Sequence, residues 1–351
     1  MKKIFSLAVC AVFMIAAISS SSFALAYHVT TLQPSQESSM AYSVSDSGQV
    51  VGVVSDKAFV WSENTASELP IDGCWFATGN DNGQVCGTYS NSAFLWQNGQ
   101  LQDLGALSPG YSVALGISDN GRVVGQTRIA NGHNHAYVWD GTMHDLGALA
   151  ADYSCAYDIN EAGDVIGWVT AVGLATQHAC LWKNGVIHDL GTLSGDTYST
   201  GYGINDLGQV VGDSTGTNGF GKAFIYDNGV MRALSPVAGY TYTCAKAINN
   251  SGFIVGYAYN DSLTSSYSDY RPVVWINGIP QLLPTVNGAQ GRAFGLNDDG
   301  WIVGYIQDGY NTQAVLWQPV PEPTGFFALL AGISCMSTAV RRARKSNDPV
   351  I

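Results

Sequence analysis

The chain of 351 residues repeats one unit from end to end, and that periodicity limits its possible folds more than any other feature. The clearest copy, Ala114 to Leu149, reads ALGISDNGRVVGQTRIANGHNHAYVWDGTMHDLGAL. A first turn glycine stands at Gly48, Gly83, Gly121, Gly163, Gly208, Gly252 and Gly300, each followed four residues later by a second glycine. An aromatic closes the apolar stretch of every copy: Trp61, Trp96, Trp139, Trp182, Tyr226, Trp275 and Trp317. These positions define seven units spaced 35 to 48 residues apart.

Within a unit every apolar run is strand-length and ends at a turn. Ser118-Asp119-Asn120-Gly121 is one such turn, where Asx side chains cap their own backbone and glycine takes the positive φ. Asn98-Gly99, Asp140-Gly141, Asn184-Gly185, Asn228-Gly229 and Asn277-Gly278 mark tight hairpins. In the third unit the predicted strands are Ala114 to Ile117, Arg122 to Gln126, Ala136 to Trp139 and Met143 to Leu146. The glycine inside the second strand implies close approach of a neighbouring backbone or ring.

Seven four-stranded meanders can close into a ring or stack into an open solenoid, and a solenoid needs polar capping repeats that neither end supplies. The last unit stops after Trp317 without a fourth strand. The stretch from His28 to Pro34 resembles the fourth-strand segment His188 to Leu193. The expected fold is therefore all-β, a seven-bladed β-propeller closed by the mature N-terminal strand.

In that geometry the one-to-two and three-to-four turns share one face. The variable two-to-three loops and inter-blade connections share the other, including Arg128 to Asn134, Ala171 to Gln177, Thr215 to Gly221 and Tyr259 to Tyr270. Tyr111, Tyr153, Tyr198 and Tyr242 each lie ten residues before their turn glycine, on the variable face. They form a candidate stacking platform for sugar rings, set against a packing role between blades.

The N-terminus has the form of an export signal. Lys2 and Lys3 precede an apolar run from Ile4 to Ile18, and Ala24-Leu25-Ala26 is a cleavage site before Tyr27. The competing lipoprotein reading, at Cys10, is weakened by the large Val9 and by an apolar run that continues past it. Between the termini nine Lys and Arg face 25 Asp and Glu. So acidic a body argues against nucleic acid and anionic lipid as partners.

Five cysteines lie in the repeats: Cys74, Cys86, Cys155, Cys180 and Cys244. An odd count in an exported chain leaves at least one unpaired or intermolecular, and a Cys74–Cys86 bridge within one blade stays open. Cys86 and Cys180 occupy places held by Val or Phe in other units. His133 and His135 form a weak metal pair with no acidic partner near them in sequence, and His144 and His188 are expected to be solvated. Turns such as Asn297-Asp298-Asp299-Gly300 lack the ligand spacing of a calcium loop. No cofactor motif, metal site or catalytic constellation is visible, although a propeller can gather catalytic groups from several blades.

At the C-terminus Val320-Pro321-Glu322-Pro323 precedes an apolar run from Gly325 to Val340, then Arg341-Arg342-Ala343-Arg344-Lys345. The run is short for a bilayer span, and its basic flank belongs on the cytoplasmic side. This tail resembles the PEP-CTERM sorting signal of exported Gram-negative proteins. The resemblance assigns the sorting role to Pro321, Glu322, Pro323, Arg341 and Arg342, implies exosortase as partner, and associates the chain with extracellular polysaccharide. Ser346 to Ile351 extend beyond the usual basic end.

The repeats resemble the extracellular HAF-repeat family through His135-Ala136-Tyr137, His178-Ala179-Cys180 and Lys222-Ala223-Phe224, beside the Asp-Leu-Gly elements. That resemblance supplies no catalytic residues. The chain then divides into a signal peptide (1–26), a propeller (27–319) and a sorting and membrane-anchor segment (320–351). Its expected role is binding at the cell surface or in a biofilm matrix, with exosortase and extracellular polysaccharide as partners and the inner membrane only a transient anchor. The rivals are a propeller lyase or glycoside hydrolase acting on polysaccharide and a scaffold without a ligand.

Overall fold

The structure, a computed structural model, describes residues 25–320 except 33–36, 150–152, 171–175, 218, 220, 261–268 and 310. Residues 1–24 of the expected signal peptide, the expected sorting segment from residue 321 on, and parts of the variable-face loops lie outside the described residues.

Seven antiparallel four-stranded sheets form the blades of a β-propeller. Their inner strands are Ser39–Val44, Cys74–Gly79, Ser112–Ile117, Ser154–Ile159, Tyr198–Ile204, Tyr242–Ile248 and Gln290–Leu296, here blades 1 to 7. The unit that carries them is Tyr27–Gln318. Blade 7 takes its outermost strand, Tyr27–Thr31, from the N-terminal side of blade 1, next to Asn311–Pro319. The ring therefore closes as the sequence predicts. Leu32 enters the apolar cluster that blade 1 shares with Val303, Ala314 and Leu316 of blade 7.

The core lies between blades. Val124 and Ala136 of blade 3 pack on Ala156, Ile159, Val165, Val169, Cys180 and Trp182 of blade 4. The strand-three aromatics reach back to the previous blade: the indoles of Trp182, Trp275 and Trp317 donate to the carbonyls of Leu146, Ser235 and Pro284 at 3.0, 3.0 and 2.7 Å. A second fastening explains the small residue that opens strand three. The amides of Ala93, Ala136, Ala179, Ala223 and Ala314 donate to the hydroxyls of Ser112, Ser154, Ser199, Thr243 and Ser39 in the next blade, at 2.8–3.0 Å.

Two glycine positions per blade are obligatory. The turn glycines all have φ between +73° and +85°. The strand-two glycines do not; there a Cβ would sit 1.9–2.2 Å from a carbonyl oxygen of the inner strand. In six blades a bulge accompanies this close approach, which Gly87 of blade 2 shows without one at that place. The inner strands of six blades skip one residue opposite this glycine: Tyr42, Leu115, Tyr157, Tyr202, Lys246 and Phe294 are the extra residues. A bulge re-aims a side chain, and here it turns one per blade toward the axis. Blade 2 moves its bulge down the strand to Trp75, and Phe76 supplies the ring instead.

All five repeat cysteines are buried free thiols. The Cys74–Cys86 bridge that the sequence leaves open is absent. Cys74 pairs with Tyr89 while Cys86 pairs with Thr78, four positions along the strand. That separates the two by on the order of 10 Å, beyond the Cα reach of a disulfide.

Gly125→Ala is expected to destabilise the protein by about 1–3 kcal/mol, because the new methyl meets Val113 backbone rather than a movable side chain. A urea unfolding midpoint unchanged by this substitution would contradict the bulge packing.

Candidate functional site

The central channel is built in layers, one residue per blade in each. Counting back from the turn glycine, the second residue is Asp46, Asp81, Asp119, Glu161, Asp206, Asn250 or Asp298. These line the turn-face mouth, a cavity of about 230 Å³. Each accepts the backbone N–H of its counterpart in the previous blade. The bonds run Asp46 N–H to Asp81 (2.7 Å), Asp81 to Asp119 (2.8 Å), Asp119 to Glu161 (2.5 Å) and Glu161 to Asp206 (3.0 Å). They continue from Asp206 to Asn250, from Asn250 to Asp298 and from Asp298 to Asp46, each 2.9 Å. The circuit is complete.

One residue earlier stands a second, buried ring. Asn80, Asn160, Asn205, Asn249 and Asn297 each donate Nδ2 to the carbonyl of the next blade's counterpart at 2.9–3.1 Å. Each also accepts, at 2.8–2.9 Å, the amide four residues on, which closes its own turn. Ser45 and Ser118 hold this place in blades 1 and 3 and bond locally, to Ser47 and Asn120.

Below these rings comes an apolar collar that includes Val44, Ile117, Ile159, Ile204, Ile248 and Leu296. The channel then widens to about 460 Å³, lined by the bulge residues. Tyr42 contacts Phe294 and Phe76, with centroids 5.4 and 4.7 Å apart, and Tyr157 lies 5.1 Å from Tyr202. Lys246 Nζ sits 3.2 Å over the Tyr202 ring.

Carboxyl groups here are held high by burial. Asp81 at the mouth is raised first by desolvation and then by the charges of Asp119, Asp46 and Asp298, against the pull of the Asp46 amide. Asp158 is pushed up to about 7 by desolvation. Its two oxygens accept the amides of Ile159 and Ile204 at 2.9 and 3.0 Å, so it bridges blades 4 and 5. Asp213, between blades 5 and 6, is also raised by burial, and Lys246 draws it back down.

The four platform tyrosines do not form a uniform ring. Tyr153 and Tyr198 are 44% and 45% exposed, Tyr111 is part-buried, and Tyr242 is buried. Tyr242 stacks on Tyr259 at 4.5 Å, so its face is covered. His133 stacks on Tyr153 at 4.7 Å. Trp75, 50% exposed at the start of its inner strand, belongs with the two exposed tyrosines. Trp75 lies eight residues before Gly83 rather than ten, so the tyrosine spacing does not mark it. Pro321, Glu322, Pro323, Arg341 and Arg342 lie outside the described residues.

The histidines have partners that the linear sequence hides. His135 and His178 Nδ1 lie 2.9–3.0 Å from both carboxylate oxygens of Asp145 and Asp189, the aspartates of the Asp-Leu-Gly elements. Those aspartates also accept the amide of the following glycine at 2.7–2.8 Å. The expectation that His135 has no acid nearby is thus corrected, and the pair latches strand three to strand four. His144, expected to be solvated, is exposed and meets Asp140 at 3.1 Å. Among the described residues no group of three His, Cys, Asp or Glu converges on a metal position.

No family model matches the chain, and no curated protein matches it in sequence. Solved structures do match. Oligogalacturonate lyase in complex with manganese superposes with a TM-score of 0.56 at 12% identity, over 86% of this chain and 95% of that one. Virginiamycin B lyase from Staphylococcus aureus gives 0.53 at 13%, over 85% and 100%. The extracellular domain of a one component system from B. thetaiotaomicron gives 0.52 at 10%, over 82% of this chain and 39% of that one. At such identity the likeness is one of fold alone.

Asp158 binds its proton more tightly folded than unfolded, so between pH 4 and pH 7 its contribution to stability falls as pH rises. Asp158→Asn removes that term. The melting temperature of the variant relative to the parent is expected to climb across this window, and a flat difference would contradict the assignment.

Proposed function

We propose that this chain is an exported, non-catalytic binding propeller that acts at the cell surface or in an extracellular polysaccharide matrix. The observation that carries the binding reading is the set of solvent-facing aromatics Trp75, Tyr153 and Tyr198, all where inner strands begin on the variable face. Aromatic rings held on rigid strands offer flat apolar area at little entropic cost, and polysaccharides are bound by stacking on such rings. The mouth acids favour binding over hydrolysis. Each gives one oxygen to the inter-blade ring, a structural role that accounts for their presence without hydrolysis.

The targeting reading rests on the two termini. An export signal with a Pro-Glu-Pro, apolar and Arg-rich tail fits delivery across the inner membrane followed by exosortase processing near Pro321 to Pro323.

Two measurements test these readings separately. Pull-down of the full-length chain on polysaccharide from its host is expected to weaken severalfold in each of Trp75→Ala, Tyr153→Ala and Tyr198→Ala, and not in Tyr242→Ala scored at equal folded concentration. Retention unchanged in all four excludes the platform. Intact mass of the protein recovered from its host is expected to lack both 1–26 and the basic end. A mature chain that keeps Arg341 to Ile351 in the inner membrane makes the tail an ordinary anchor.

A further inference from the structure

Among the described residues Lys246 is the only basic one lining the wide part of the channel. It is part-buried, and among the described residues its ammonium has no hydrogen-bond acceptor and no ion-pair partner within 4 Å. It lies over the face of Tyr202. Asp213 acts on it electrostatically, and burial holds that carboxyl toward its neutral form while Lys246 draws it back, so the compensation is partial. A cation withdrawn from bulk water with only a ring face and a partly neutral acid to compensate it is unfavourable, and the strand bulge that aims it at the axis is shared by five other blades carrying Tyr, Leu or Phe at that place.

We infer that the wide part of the channel is a small-ligand site for a ring-bodied carboxylate, with Lys246 taking the carboxylate. The cavity of about 460 Å³ falls in the range of small-molecule pockets. Its walls suit a flat body. Tyr42 and Phe294 stack on one side, at blades 1 and 7, while Tyr157 and Tyr202 stand on blades 4 and 5 across the axis. The acid ring at the turn face fixes the orientation, because the field of those carboxylates drives an anionic group away from the mouth and toward Lys246. Two sources share this chemistry, a uronic acid and an aromatic carboxylate. The site differs in face and residues from the exposed aromatics, so it stands or falls independently of polysaccharide docking there.

Calorimetric titration of the full-length chain with glucuronate and with benzoate, each beside its uncharged counterpart (glucose and benzyl alcohol), tests the site. One carboxylate is expected to bind and its neutral counterpart to bind far more weakly. Lys246→Met is expected to lower affinity about tenfold or more, the scale of a hydrogen bond to a charged group, and Lys246→Arg to retain most of it. If Lys246→Met does not fold, Leu115→Trp, which fills the cavity from blade 3, is expected to abolish binding. No binding by either carboxylate overturns the inference. Equal affinity for acid and neutral ring, or binding unchanged in both Lys246→Met and Leu115→Trp, overturns it as well.

Discussion

The bond from one turn to the next blade's acid organises this molecule. Each blade offers a backbone N–H and the next blade answers with a side-chain oxygen, seven times around the axis, ending where it began with Asp298 on Asp46. Six of the seven acceptors are carboxylates, and hydrogen bonds to charged acceptors are about twice as strong as neutral ones. The same charges repel across the mouth. Each blade therefore gains from its neighbour while the ring as a whole carries electrostatic strain. The buried Asn ring beneath adds neutral bonds in the same direction, donor in one blade and acceptor in the next, without adding to that repulsion.

These rings determine what the channel can be. The turn-face acids each give one oxygen to holding blades together, and with six carboxylates that mouth is strongly negative. The two proposed ligand sites lie elsewhere: deeper in the channel, where the bulges deliver aromatic rings and Lys246, and on the opposite face, where Trp75, Tyr153 and Tyr198 meet solvent. Asp158 shows how the two demands meet in one residue. It faces the channel, yet both its oxygens serve the seam between blades 4 and 5.

Much of the fold is legible in the sequence because turn chemistry is local. A glycine with φ near +80° needs no distant information, nor does an Asn-Gly hairpin, and seven repetitions of both fix the blade count. Ring closure is legible too, since a seventh unit lacking a strand and an N-terminus resembling one complete each other. The site is less legible because it depends on what neighbouring blades bring together. His135 and Asp145 are ten residues apart and read as unrelated until strand three pairs with strand four. Tyr242 shares the spacing of Tyr153 and Tyr198 but is covered by Tyr259 from the adjacent strand. Lys246 looks like an ordinary surface lysine until the bulge turns it inward. In blade 2 the bulge falls at Trp75, and no spacing in the sequence announces that this extra residue is exposed.

The most direct test of the closed ring is residue-resolved amide hydrogen exchange of the full-length chain at the seven turn amides Asp46, Asp81, Asp119, Glu161, Asp206, Asn250 and Asp298. A closed propeller predicts slow exchange at all seven despite their exposed turns, with a common opening free energy, because no turn can release its partner without disturbing the circuit. Fast exchange at Asp298 and Asp46 with protection rising toward the middle blades would describe an open stack with fraying ends and contradict the ring.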